Sequence, residues 1–413
     1  MGRSKPLAVL ALVLMASSAV RPARADAIAD WYVVTQELVR RSAPATDPVA
    51  EQVMPLVALA MYDAVVAVDG GYEPYLGRLY APPNASAAAA AHAAAHAVLL
   101  ELYPQDQVGL NTAYDQALAA VRDEASRSDG VAIGVRAARR LMKQRGVIAV
   151  EATTSYRPGT RPGRFVPPQL PARGWMSGLR LFVVAEPGAF RTPGPPALHS
   201  DEYTRDYEEV LTLGGRRDTR RTARQTAIAQ FWHSNDLMQL LPQVFSIEGR
   251  TLAANARLFA LYTSAQFDAG ILLARDKYRY DFWRPVTAIR NADQDANAST
   301  VRDATWEPLL TTPSHPDYPC GHCLMSALVA TIMAAEIGQR PAGGIRMVAA
   351  DQAPGAGRHY ESFDAMAEEV SNSRVWGGVH FRTGARDGAA LGIALGRYIL
   401  ENVFVPTLGN ADR

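Results

Sequence analysis

Three short segments of this sequence carry side chains that together suit one kind of chemistry. The first is Lys277-Tyr278-Arg279-Tyr280-Asp281-Phe282-Trp283-Arg284-Pro285, the second Pro319-Cys320-Gly321-His322, and the third Ser373-Arg374 followed, after five residues, by His380. Taken singly each is weak: two cations seven apart suit a surface, and a lone His beside an apolar helix is more often a core residue than a catalyst. Together they suit a tetrahedral oxyanion. Lys277, Arg284 and Arg374 supply three fixed positive charges, the Arg forks binding oxygens in pairs and Lys acting as a point charge. Gly321 lets backbone N–H groups approach a ligand, and the turn leads into a helix starting near 321, whose N-terminus favours an anion. Two histidines, His322 and His380, beside that anion suit an acid/base and a nucleophile or ligand.

Other chemistry finds little support. There is no Walker-type loop, dinucleotide fingerprint, HExxH or GxSxG. His92 and His96 lie four apart on one helix face, as in some metal pairs, but no third ligand is near, and a partly buried structural pair is the more economical reading.

The pattern Lys-x6-Arg-Pro, Pro-x-Gly-His, Ser-Arg-x5-His resembles that of the superfamily joining type 2 phosphatidic acid phosphatases, soluble bacterial acid phosphatases and vanadium-dependent haloperoxidases. The spacings suit it: 33 residues separate Pro285 from Pro319, and 50 separate His322 from Ser373. The run Tyr280 to Ile289, together with Phe231-Trp232 and Met61-Tyr62-Asp63-Ala64-Val65, is similar to the soluble bacterial haloperoxidase-like branch. The likeness spans roughly 30–405. It implies that Lys277, Arg284, Cys320, Gly321 and Arg374 line the oxyanion site. It makes His380 the covalent partner, a vanadium ligand in a peroxidase or a phosphohistidine in a phosphatase, and His322 the acid/base. Vanadate bound through a histidine nitrogen is trigonal bipyramidal, the shape of a phosphoryl-transfer transition state, so one scaffold serves either reaction.

Two departures stand out. The family serine before Gly-His is Cys320, and Cys323 follows three residues on. A thiol donates a hydrogen bond weakly, and a disulfide not at all; a structural disulfide or a pair of buried thiols outweighs a redox role, since no thioredoxin-like βαβ pattern surrounds the pair. The family Asp four residues after the covalent His is here Gly384. Asp387 lies seven residues from His380, about 10.5 Å along a helix, too far for a direct bond. A carboxylate from another helix, such as Glu368 or Glu369, could substitute. His315 is equally suited to the pocket or to an exposed loop.

The elements that must position these groups read as helices. Apolar periodicity predicts them near 47–68, 84–103, 107–123, 130–147, 201–213, 218–238, 249–277 and 321–337, and over 363–402 with a break near Gly377-Gly378 or Gly384. Strand signals are sparse, so the fold class is all-α, a helical bundle. Residues 151–200 hold nine prolines and six glycines, which excludes long elements. Phe165, Trp175, Leu181, Phe182, Val183 and Phe190 predict that this stretch is ordered and covers the helical body. The chain thus divides into a leader (1–25), an N-terminal helical region (26–150), the irregular segment (151–200) and a C-terminal helical region bearing the site (201–413).

The 413 residues are 48% apolar and 20% charged, enough for a sizeable core. Lys+Arg (42) and Asp+Glu (41) nearly cancel, leaving no bulk charge for nucleic acid. Only three lysines occur, and one is Lys277. Arg3 and Lys5, the apolar run Leu7 to Val20 and Ala23-Arg24-Ala25 read as a secretory signal peptide cut after Ala25, which predicts a periplasmic or secreted protein without an integral membrane segment. Three functions follow from these readings: a vanadate-dependent haloperoxidase-like oxidoreductase acting on peroxide and halide, a soluble acid phosphatase acting on phosphate esters, or a non-catalytic or redox-switched oxyanion binder. A homodimer is compatible with a bundle of this size, though no interface is readable.

Overall fold

In the computed structural model, residues 26–42, 48–147, 156–167, 174–217, 219–233, 236–348 and 357–407 are described. Their helices, in chain order, are α1 (Ala27–Ser42), α2 (Pro48–Asp69), α3 (Ala87–Leu102), α4 (Gln107–Ala119), α5 (Glu124–Gln144), α6 (Asp201–Gly214), α7 (Ala223–Phe231), α8 (Leu240–Phe245), α9 (Leu252–Tyr280), α10 (Pro285–Arg290), α11 (Gly321–Ile337), α12 (Phe363–Trp376) and α13 (Arg382–Asn402). One antiparallel pair, β1 (Ile345–Val348) and β2 (Gly357–Tyr360), joins Ile345 to Tyr360 and Val348 to Gly357. The fold is mostly helical, as expected.

Helix α9 is buried on nearly every side, as an apolar central helix must be. It packs against α2, α11 and α13. Helix α2 is long and apolar enough to cross a membrane by composition, but 83% of its apolar window is buried within the fold, so it is a core helix here. Two interfaces depend on small residues. The alanines of α3 meet α5 at Gly130 and Gly134, where a Cβ would collide with the backbone of Ser86 and Ala90. On α13, Gly384, Gly388, Gly392 and Gly396 recur every four residues and form one face toward the start and body of α11. A Cβ at Gly388 would lie 2.5 Å from the Cys320 carbonyl oxygen, and one at Gly392 would strike that of Leu324.

Several expectations need correction. Helix α1 was not foreseen. The helix expected over 130–147 begins at Glu124, capped by the Asp123 carboxylate, which accepts from Ser126 N at 2.7 Å. The stretch 218–238 is not one helix: α7 ends at Phe231, and a 3₁₀ turn at Leu237–Gln239 leads into α8. The break within 363–402 falls at Gly377-Gly378, with Gly378 at φ 73°, while Gly384 lies inside α13. The leader (1–25) lies outside the described residues.

The described parts of 151–200 are irregular and ordered, as expected. Phe165, Trp175, Phe182 and Phe190 are buried; Leu181 and Val183 are partly so. A second anchor was not foreseen. The backbone N–H groups of Phe182, Val183 and Val184 donate to the buried carboxylate of Asp268 at 2.6–2.8 Å. Thr192 donates its N–H and hydroxyl to Asp276, and the Tyr156 hydroxyl reaches Asp281. Three acids along and just beyond α9 thus hold a segment with no regular hydrogen bonding of its own. His92 and His96 form no metal pair. His92 Nδ1 accepts from Trp31 Nε1 at 2.9 Å, and His96 Nε2 lies 2.8 Å from Asn111.

Candidate functional site

The three motif segments converge where the ends of α9 and α12 meet the starts of α10, α11 and α13. Lys277 lies in the last turn of α9. Asp281, at φ 53°, ends that helix in a left-handed cap and redirects the chain so that Arg284 caps α10, with Pro285 at its first position. Cys320 caps α11, its sulfur accepting from Cys323 N at 3.2 Å, and Gly321 begins the helix. Arg374 is in the last turn of α12, and the Gly377-Gly378 turn carries the chain back to His380 before α13. A cavity of about 770 Å³ opens here, lined by Lys277, Gly321, His322, His380 and also by His233 and His315. An adjoining cleft shares Met176, Asp236, Gln266, Gly270 and Met325 with it.

Lys277 is buried and donates to the carbonyls of Pro316, Asp317 and Pro319 at 2.6–2.9 Å. Three acceptors match the three donors of an ammonium. Burial, then the neighbouring Arg284, lowers its pKa well below the usual lysine value, but the three carbonyls hold the charged form. Its foremost role here is to shape the loop that precedes Gly321. Arg284, 1% exposed, donates to the carbonyls of His315 (2.8 Å) and Val379 (2.6 Å) and lies 3.2 Å from His380 Nε2 and 3.0 Å from His315 Nδ1. Burial brings it down to about 10, against the pull of Asp317.

Arg374 is also 1% exposed. Its Nη1 donates to the Trp232 carbonyl at a long 3.4 Å, and its buried Nε has no partner. Burial, then Arg284, pushes it down to about 9. A buried guanidinium with unmatched donors, beside a second buried guanidinium, is costly unless an anion joins them. His322 is held well below the usual imidazole value by Arg374 first and burial second, and His380 by burial and then Arg284. Both are neutral at pH 7. Among the described residues no group of three or more His, Cys, Asp or Glu side chains could hold a metal ion. The donor set is cationic and suits an oxyanion with one histidine nitrogen beside it.

Cys320 and Cys323 form a disulfide, fully buried, so the thiol donor at 320 is lost. Cys320 braces the turn; Gly321 and His322 reach the cavity. A Cβ at Gly321 would lie 2.9 Å from Leu273 Cδ2 of α9, so that side chain would have to move aside.

Neither Glu368 nor Glu369 takes the place of the missing Asp at Gly384. Glu369 is bound by Trp232 Nε1, Arg358 and Tyr360. Asp387 accepts from the Tyr318 hydroxyl at 2.6 Å and from Arg386. The carboxylate beside His380 belongs to Asp317, whose Oδ1 is 2.9 Å from His380 Nδ1, both side chains 1% exposed. Burial pushes Asp317 up to about 7, with Arg284 and Lys277 opposing. His315 occupies the pocket wall. Asp317, His233 and the wall position of His315 escaped sequence reasoning, because only the tertiary fold brings them to the motif residues.

Residues 257–405 match the family model described as the VCPO second helical-bundle domain. The chain is 26% identical over 168 residues to vanadium chloroperoxidase of Curvularia inaequalis, a match covering 33% of this chain and 28% of that protein's length. Its fold resembles the crystal structure of the first bacterial vanadium-dependent iodoperoxidase (TM-score 0.72, 21% identity, covering 92% of this chain and 96% of that one). It also resembles a holo-type bacterial vanadium-dependent chloroperoxidase (TM-score 0.67, 18% identity, 87% and 92% covered). The motif residues thus gather at one cationic site on a fold similar to that of the bacterial vanadium-dependent haloperoxidases, and residues 257–405 carry the match to the VCPO second helical-bundle domain.

Proposed function

We propose that the protein is an exported vanadate-dependent peroxidase that oxidises halide with peroxide. The observation that carries this reading is the pair of buried guanidiniums, Arg284 and Arg374, with the unmatched Nε of Arg374 next to a neutral histidine. Orthovanadate fits that donor set: Arg284, Arg374 and the Gly321 end of α11 would hold its oxygens, and His380 Nε2 would bind it directly. Bound there, the vanadium centre acts as a Lewis acid that polarises peroxide.

The chain's own groups do the rest. Arg284 donates toward His380 Nε2 at 3.2 Å, which places the ring proton on Nδ1; an oxyanion bound at Nε2 would take over that lone pair, and Arg284 would donate to its oxygens instead. Lys277 keeps the 316–319 carbonyls turned toward itself, so the backbone around Gly321 is free to present N–H groups to the ligand. His322 is neutral chiefly because of the charge on Arg374. An oxyanion neutralises that charge and raises the basicity of His322, which then holds and delivers the proton the reaction consumes. In the net reaction the O–O bond of peroxide breaks, halide gives up two electrons to form hypohalous acid, and the other oxygen leaves with a proton as water.

The test is the sign of the vanadate effect. Halide oxidation by purified protein should rise from a low base as orthovanadate is added, while hydrolysis of phosphate esters stays negligible. Ester hydrolysis that vanadate suppresses, with no halide oxidation, would replace this reading with phosphatase chemistry at His380. Export is checked by the N-terminus of the protein recovered from cells: a start at Asp26 is expected, and an intact leader on the cytoplasmic protein would overturn it.

A further inference from the structure

Among the motif residues of this chain, the carboxylate that ordinarily orients the reactive histidine is missing from its helix, and Gly384 stands in its place. The structure shows what fills the space. A Cβ at Gly384 would lie 3.2 Å from Asp317 Oδ2, 3.8 Å from Tyr318 Cδ2 and 3.9 Å from Cys320 N. The room an aspartate at 384 would need is therefore occupied by the 317–320 loop. Asp317 Oδ1 faces His380 Nδ1 at 2.9 Å, and Arg284 lies 3.7 Å from the same carboxylate. The Asp317–His380 pair is not aligned as a full hydrogen bond, and His380 Nδ1 has no other hydrogen-bond partner; the Phe381 N–H also faces the Asp317 carboxylate. Contacts of this kind tighten when the ligand binds. Asp317 is itself fixed from three sides. Its N–H donates to the Phe282 carbonyl at 2.9 Å, its carbonyl accepts from Lys277, and the loop beyond it is tied to α13 by Cys320 N donating to the Gly384 carbonyl at 2.9 Å.

We propose that Asp317 is the positioning residue of His380, supplied by the loop before α11, and that Gly384 is the complementary change on α13 that lets this loop in. The proposal rests on the reading that His380 Nε2 is the nitrogen that meets the oxyanion. Asp317 holds the ring so that Nδ1 carries the proton and Nε2 faces the cavity. Lys277, which donates to the Asp317 carbonyl, acts through the same loop: the lysine sets the backbone, and the carboxylate sets the histidine.

The test uses the full chain labelled with ¹⁵N-histidine, without vanadate, so that it does not depend on turnover. Wild type should show His380 protonated at Nδ1 and bare at Nε2. Asp317→Ala should give a mixture of tautomers and bind inorganic phosphate and orthovanadate roughly 10–100-fold more weakly, the usual effect of removing the partner of a ligating histidine. Asp317→Asn keeps the shape and an acceptor oxygen; it guards against misfolding and should lose less. The double variant Asp317→Ala/Gly384→Asp, in which the emptied loop makes room for a carboxylate on α13, should regain much of the affinity and the single tautomer. An unchanged tautomer and unchanged phosphate affinity in Asp317→Ala would overturn the proposal, as would a double variant no better than the single. If His380→Ala also binds phosphate as well as wild type, the underlying assignment of His380 fails instead, which separates the two.

Discussion

At the residue scale, the site is defined by two buried guanidiniums, one of which, Arg374, has no side-chain acid paired with it. Arg374 and Arg284 are buried together, and each lowers the tendency of its neighbours to carry a proton. Arg374→Met, which keeps volume but removes the charge, should leave thermal stability unchanged or raised, because a buried repulsion is relieved. The same variant should bind phosphate or vanadate about ten- to a hundredfold more weakly, the loss of a hydrogen bond to a charged group, roughly 1.5–3 kcal/mol. A fall in melting temperature with intact anion binding would show that Arg374 is structural. The motif cations and histidines were singled out by their joint pattern and the family resemblance it carries. Asp317 was not, since nothing in Ser314-His315-Pro316-Asp317-Tyr318 distinguishes an inward carboxylate from a loop charge. The only hint was negative: the glycine at 384, whose meaning depends on what packs against it.

At the element scale, the helices that carry apolar periodicity and a clear cap, such as α2, α3, α6, α9 and α11, were legible, whereas α1 follows directly on a leader-like run and was hidden by it. The break inside 218–238 and the acid-to-amide anchoring of 174–200 depend on tertiary partners and leave no local pattern. The four-residue glycine repeat on α13 was present in the sequence and carries a direct test. Gly388→Ala should destabilise the protein by about 1–3 kcal/mol, since its Cβ would meet the Cys320 carbonyl, and should also disturb the anion loop. Gly109→Ala on α4, where the added Cβ meets nothing within 4 Å, should be neutral or stabilise by up to about 1 kcal/mol. Thermal melts compare the two; equal and small effects would mean that α13 is not closely packed on α11. A second test concerns the α1–α3 contact. Burial pushes His92 down to about 4, so the folded protein keeps it neutral while the unfolded chain takes up a proton below about 6.5. Stability is therefore lost as pH falls from about 6.5 to about 4, by roughly 3 kcal/mol for this group, and changes no further below. The difference in unfolding free energy between wild type and His92→Gln, measured from pH 7 to 4, should move against wild type by that order; a flat difference would mean His92 is solvated.

At the scale of the whole molecule, a bundle built on the buried α9 and α2 is joined to a second apolar cluster that includes Tyr203, Trp283, Trp306 and Phe381. Trp283 and Phe381 of the second cluster are the chain neighbours of Arg284 and His380, so that cluster flanks the cationic site. The covering segment closes one side of α9 and is held by the same helix that supplies Lys277. The proposed function requires this pocket to bind orthovanadate through His380. Equilibrium binding of orthovanadate to wild type and to His380→Ala tests it most directly. Saturable binding of one vanadate per chain is expected, weakened about a hundredfold or more in the variant, roughly 2.7 kcal/mol, with vanadate-dependent halide oxidation abolished in the variant. Equal affinity in the two proteins, or no binding by wild type, would contradict it.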